Sequence, residues 1–167
     1  AQPAAHYWLG HCELASQPQG ALHELALAQQ GYAAAGDAQG SFRAAAAAAD
    51  AIVFIGARLD ALDPWIALLE AHAPAYLAAH DTESDLLVLP GLLAAFVHRR
   101  PEHPLTAPLA DRAEALLEQP LGASQRILVG SLALYLLWTG QVTRLDRIMV
   151  KLDRLCDLPT ADLGAPQ

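Results

Sequence analysis

Charged side chains are scarce in this sequence: Asp, Glu, Lys and Arg make up 17% of 167 residues, against about 25% in ordinary soluble domains. Positive charge is scarcer still, with 10 Lys and Arg against 18 Asp and Glu and a net charge of −8. A nucleic-acid reader needs a basic footprint to meet phosphates, so direct nucleic-acid binding by the domain as a whole is excluded. Cysteine occurs only at Cys12 and Cys156, near opposite ends of the chain, with no Cys-x-x-Cys spacing. The pair reads as two core thiols in a reducing cytoplasm rather than as a disulfide or a zinc site. Long hydrophobic runs are also missing: Leu86–Val97 and Ile127–Trp138 each hold about 12 residues, where a bilayer-spanning helix needs roughly 20. β-branched residues are few outside 52–55 and 127–129, which disfavours a sheet.

Apolar residues supply 54% of the chain, with Ala and Leu dominant, and that composition favours an all-α fold. The surplus over charge has two explanations. Several helices are buried on both sides, or the stretch normally abuts neighbouring repeats whose absence bares an apolar face. The opening Ala1-Gln2-Pro3 has no initiator Met, which points to a piece of a longer chain.

Punctuation divides the sequence into eight helices. Ser16-Gln17-Pro18 separates a first (about 4–15) from a second (19–35), which Gly36-Asp37 closes. A third, 40–55, carries the run Ala44–Ala49, flanked by Phe42, Ile52, Val53 and Phe54 as packing groups. A fourth starts at Asp60 or at Asp63, where Asp63-Pro64 suits an N-cap followed by Pro in the first turn. Thr82-Glu83-Ser84-Asp85 opens a fifth with a capping-box pattern, and Pro90 should kink it. A sixth spans about 105–118, and Pro120-Leu121-Gly122 leads to a seventh, about 124–139, with Ser124 as cap. Thr143-Arg144-Leu145-Asp146 caps an eighth, whose apolar face is Leu145, Ile148, Met149, Leu152, Leu155 and Cys156. Residues 1–158 form the helical domain, and Pro159–Gln167 a linker or tail.

One internal echo stands out. Val53-Phe54-Ile55-Gly56 with Leu62-Asp63-Pro64-Trp65-Ile66 is answered by Leu136-Leu137-Trp138-Thr139-Gly140 with Leu145-Asp146-Arg147-Ile148-Met149. Leu62 and Leu145 lie 83 positions apart, which suits two units of roughly 40 residues, the period of paired-helix solenoids. Short connections make neighbouring helices antiparallel, so the expectation is a right-handed α-solenoid of about four helix pairs. A closed eight-helix bundle is the alternative.

Four segments carry a family resemblance: Tyr32-Ala33-Ala34-Ala35-Gly36-Asp37, Ala49-Asp50-Ala51-Ile52-Val53-Phe54, Leu62-Asp63-Pro64-Trp65-Ile66 and Arg99-Arg100-Pro101-Glu102-His103-Pro104. Together they resemble the tetratricopeptide-like region of bacterial transcriptional regulators of the maltose-regulator type of signal-transduction ATPase, over most of residues 6–156. The resemblance implies a cytoplasmic, non-enzymatic sensor or protein-interaction module. Its partners would be linked ATPase and output domains, a protein partner, a small-molecule effector or a second copy. The chain itself lacks a Gly-x-x-x-x-Gly-Lys-Ser/Thr phosphate loop and a helix-turn-helix with a basic recognition helix.

No cofactor or metal is expected. None of the 7 histidines forms an i, i+4 helical pair, and no serine sits in a Gly-x-Ser-x-Gly elbow. The polar residues worth weighing are Arg43 and Asp50, two turns apart on one helical face with only Ala between them. They read as a structural ion pair, or as part of an inner groove lined by the first helix of each pair. His98 and Arg99, with Arg126 and Trp138 in the last pair, would continue that groove toward an anionic small molecule or a peptide. Arg144, Arg147, Lys151 and Arg154 form a basic stripe on the last helix, read as a solvated face or a docking surface. Trp8, Trp65 and Trp138 are expected in the core by default, with Tyr7-Trp8 exposed if a preceding repeat is missing.

Overall fold

The computed structural model describes residues 2–78, 82–118 and 125–156. Among them the chain is all-α, with eight α-helices and no strand: α1 (Pro3–Glu13), α2 (Pro18–Ala34), α3 (Ala38–Ile55), α4 (Asp63–Ala78), α5 (Thr82–Arg99), α6 (Thr106–Leu116), α7 (Gln125–Trp138) and α8 (Val142–Cys156). A 3₁₀ turn, Leu59–Leu62, leads into α4. The expected turn at 120–122, the Ser124 cap and the 159–167 tail lie outside the described residues. So do the side chains of Thr82, Glu83, Arg126, Leu152, Arg154, Leu155 and Cys156.

Three glycines end helices in the same way. Gly36, Gly56 and Gly140 have φ of 73°, 67° and 70°, a conformation that costs a residue with a Cβ far more than Gly. Around each, two backbone bonds close the last turn: Asp37 N to Tyr32 O and Gly36 N to Ala33 O, Ala57 N to Ile52 O and Gly56 N to Val53 O, Gln141 N to Leu136 O and Gly140 N to Leu137 O. This is the paired 6→1 and 5→2 pattern that satisfies orphan carbonyls at a helix C-terminus. The sequence echo thus marks equivalent turns, after α3 and after α7. Asp37, placed in the closing turn of α2, also caps α3 by accepting from Gly40 N at 2.8 Å.

Packing divides the later helices into two rows. α3, α5 and α7 lie side by side, while α4 packs on α3 and α5, and α6 packs on α5 and α7. α1 packs on α2 and α2 on α3. The alanine run explains how α3 can be crowded: every residue of Ala44–Ala49 is buried, and Ala lets neighbouring helix backbones approach closely. At the α3–α5 crossing even Ala is too large, and Gly91 faces the Ala46 carbonyl. The larger apolar cluster joins Phe42, Ile52, Ile66, Leu69, Leu92, Phe96, Leu109, Leu128 and Leu132, and a smaller one around Tyr7, Leu25 and Ala28 ties α1 and α2 to α3.

Several expectations need correcting. Asp63 is the first residue of α4 rather than a cap before it, and its carboxylate is held by Arg99. Thr143 is likewise inside α8, which begins at Val142. Cys12 is exposed; among the described residues α1 packs mainly on α2. Trp8, Trp138, Phe54 and Met149 are exposed too, and Trp65 is the only tryptophan packed against the core. The basic stripe of α8 is not a free face: Arg144 and Arg147 pair with Glu114, Arg144 also with Asp111, and Lys151 with Glu118. These pairs tie α8 to α6.

Candidate functional site

A cavity of about 280 Å³ opens where the N-terminal turns of α3 and α5 meet α4 and α6. Ala38, Phe42, Ala75 and Val88 supply apolar wall, the rings of His72 and Tyr76 add faces, and Arg43 and Arg112 bring charge. Phe42 packs at 5.9 Å from the His72 ring and 5.6 Å from the Tyr76 ring, centroid to centroid. The aromatic groups therefore form a connected wall rather than isolated contacts.

The two arginines differ in what they already hold. Arg112 Nε lies 2.8 Å from Asp85 Oδ1 and 3.0 Å from Oδ2, and Nη1 donates at 3.2 Å to both the Tyr76 and Leu77 carbonyls. Its guanidinium carbon stacks 4.6 Å from the Tyr76 ring centroid, and Tyr76 donates its hydroxyl to Asp85. Tyr76 and Leu77 belong to the last turn of α4, whose carbonyls have no helical partner. Arg112 supplies both donors and positive charge at the negative end of that helix. It is a structural strut that also faces the cavity.

Arg43 has no such partner. Among the described residues it makes no hydrogen bond or ion pair, whereas Arg58, Arg99, Arg100, Arg112, Arg144, Arg147 and Lys151 each pair with a carboxylate. Arg43 also borders a smaller depression of about 60 Å³ lined by Tyr7, Trp8 and Tyr32. The Tyr7 hydroxyl is buried without a hydrogen-bond partner. Burial pushes its pKa to about 12, partly opposed by the nearby charge of Arg43.

Arg43 and Asp50 do not form the ion pair expected from their shared helical face. Asp50 Oδ1 is buried and unpartnered, and its Cβ lies where α3 crosses Gly91. Two helical turns separate it from Arg43, too far for contact along the helix axis. Burial raises the Asp50 pKa from 3.8 to about 6. The folded state therefore binds the proton more tightly than the unfolded chain. The resulting stabilisation is fully present below pH 4 and is lost as pH rises through 6, a change of about 3 kcal/mol. Asp50→Asn should abolish this dependence. The gap in thermal midpoint, variant minus wild type, should grow between pH 4 and pH 7. A gap that is flat with pH would show that Asp50 ionises freely.

The other expected groove residues lie at the far end of α5 and α7. His98 and Trp138 are brought together, edge to face at 6.4 Å between ring centroids, and burial lowers the His98 pKa. Trp138 stands 52% exposed beside Leu137, with Phe54 also exposed on α3. Arg99 is engaged by Asp63 through two bonds of 2.6 and 2.8 Å, so it acts as a tie between α5 and α4. The Arg126 side chain is outside the described residues. The described candidates thus do not form one site. Arg43 is at the cavity, and His98 and Trp138 are a separate surface pair.

Phe42, His72, Tyr76 and Arg112 were missed as site residues. They come from three helices, and their convergence has no signature in local spacing; Phe42 looked like ordinary core. Among the described residues no cluster of His, Cys, Asp or Glu could hold a metal ion, and no helix is long and apolar enough to cross a membrane. Comparison with family models, curated proteins and solved structures gives no match.

Proposed function

We propose that this chain is a non-enzymatic binding module, a tetratricopeptide-like right-handed α-solenoid of about four antiparallel pairs, serving as the cytoplasmic sensor part of a larger transcriptional regulator. Two features support the solenoid reading. The first helices α3, α5 and α7 form one row, and polar ties from α6 to α4 and from α8 to α6 link the second helices. The resemblance to maltose-regulator-type ATPases carries the regulatory part. The observation behind ligand binding is Arg43, an arginine that lines an apolar cavity without a counter-ion among the described residues, in a chain of net charge −8. An arginine held so is available to an incoming anion.

Arg43→Gln provides the test. A bound effector raises the thermal midpoint, by about 2.7 kcal/mol of stability at a hundredfold excess over its dissociation constant. Screening small metabolites by thermal shift should find a stabiliser whose effect disappears in Arg43→Gln. The unliganded variant should melt within about 0.5 kcal/mol of wild type, since no native partner is lost. If the variant unfolds at once, Arg43 is structural and the reading fails.

A stand-alone adaptor is the second reading, favoured by exposed Phe54, Leu137 and Trp138 beside His98. It predicts partner capture that depends on Trp138, with no metabolite shift.

A further inference from the structure

Resting on the ligand-binding reading, we infer that the cavity takes a small aromatic monocarboxylate: an aryl ring on a short acid arm, with the carboxylate at Arg43 and the ring against Phe42 and Tyr76. Size sets the first limit. At about 280 Å³ the space is at the small end of ligand sites, which suits a single ring and a short chain and excludes an oligosaccharide or a peptide helix.

Charge sets the second limit. Arg112 is already neutralised by Asp85 and occupied by two carbonyls, so among the described residues the cavity offers one uncompensated arginine. A monoanion balances it; a phosphate dianion would leave charge unmatched in an apolar enclosure. A planar guanidinium holds a carboxylate through two parallel N–H···O bonds.

Shape and polarity set the third. The His72 and Tyr76 rings each sit within 6 Å of the Phe42 ring, with Val88 and Ala75 completing the wall. Such a wall favours a flat apolar body through offset or edge contacts. An aliphatic dicarboxylate would bury its second charge against carbon.

The test is titration of the domain with 3-phenylpropionate, 3-phenylpropionamide, inorganic phosphate and a panel of neutral and cationic ring fragments. Binding is followed by calorimetry and by the NMR signals of Phe42, Tyr76 and Val88. The acid should bind and shift those three residues. The amide should bind about 10- to 100-fold more weakly, the loss of one charge-assisted contact, and phosphate alone should leave the signals unmoved. Arg43→Gln should reduce the acid to the level of the amide, and Arg43→Lys should restore part of the difference. Equal binding of acid and amide, or a response to phosphate alone, overturns the assignment. So does unchanged acid binding in Arg43→Gln. If neutral or cationic fragments fill the cavity while acids do not, the ligand class is wrong and the binding module stands. If no fragment shifts any of the three residues, both readings fall.

Discussion

Gly91→Ala should be among the most damaging single-methyl changes available in this domain. A Cβ at position 91 would lie 1.8 Å from the Ala46 carbonyl oxygen and 2.6 Å from its carbon. Both atoms are backbone, so no side-chain rotation relieves the overlap, and α3 and α5 must move apart. Those two helices share the centre of the larger core, where Ala45, Ala46, Ala49, Leu92 and Phe96 are all buried. Overpacking of this kind costs about 3 kcal/mol or more, or roughly 6–12 °C in thermal midpoint for a chain of this size. The sign is opposite to helix propensity, which favours Ala over Gly by about 1 kcal/mol. Gly130 in α7 provides the control, being exposed with nothing within 4 Å of an added Cβ. Gly130→Ala should therefore raise the midpoint. Thermal melts of both variants check the pair, and a neutral Gly91→Ala would mean the α3–α5 crossing is looser than described.

Arg112→Met should cost a similar amount for a different reason. The change leaves the Asp85 carboxylate buried and strips a donor from the Tyr76 and Leu77 carbonyls. Removing one partner of a buried ion pair costs about 3–5 kcal/mol, mostly through the stranded charge. Replacing both charges tests that cause. Asp85→Leu combined with Arg112→Met should recover much of the loss, because the uncompensated charge is gone. Full recovery is not expected, since the last carbonyls of α4 stay uncapped. A double-mutant cycle in chemical denaturation should give a coupling of about 1–3 kcal/mol. Additive losses would show that Arg112 and Asp85 act independently.

Helix identity and order were legible in the sequence because their signals are local. Gly36, Gly56 and Gly140 end helices through their own backbone conformation, and the alanine run declares a helix that must be approached closely. Boundaries were less legible where tertiary partners decide them. Asp63 looked like a cap, but Arg99, 36 positions later, claims its carboxylate. The basic stripe of α8 looked solvated because Glu114 and Glu118, its partners, lie on another helix. The same holds for the site. Arg43 was visible as a charge stranded among alanines. The cavity beside it needs Tyr76 from α4 and Arg112 from α6, and only folding reveals their convergence.

The most direct test of the account is a crystal structure of the domain grown with 3-phenylpropionate. The carboxylate should lie within hydrogen-bond distance of the Arg43 guanidinium, with the ring packed against the wall that Phe42 and Tyr76 form. Arg43 paired instead with a carboxylate of its own chain, and the cavity closed or empty at saturating acid, would contradict it.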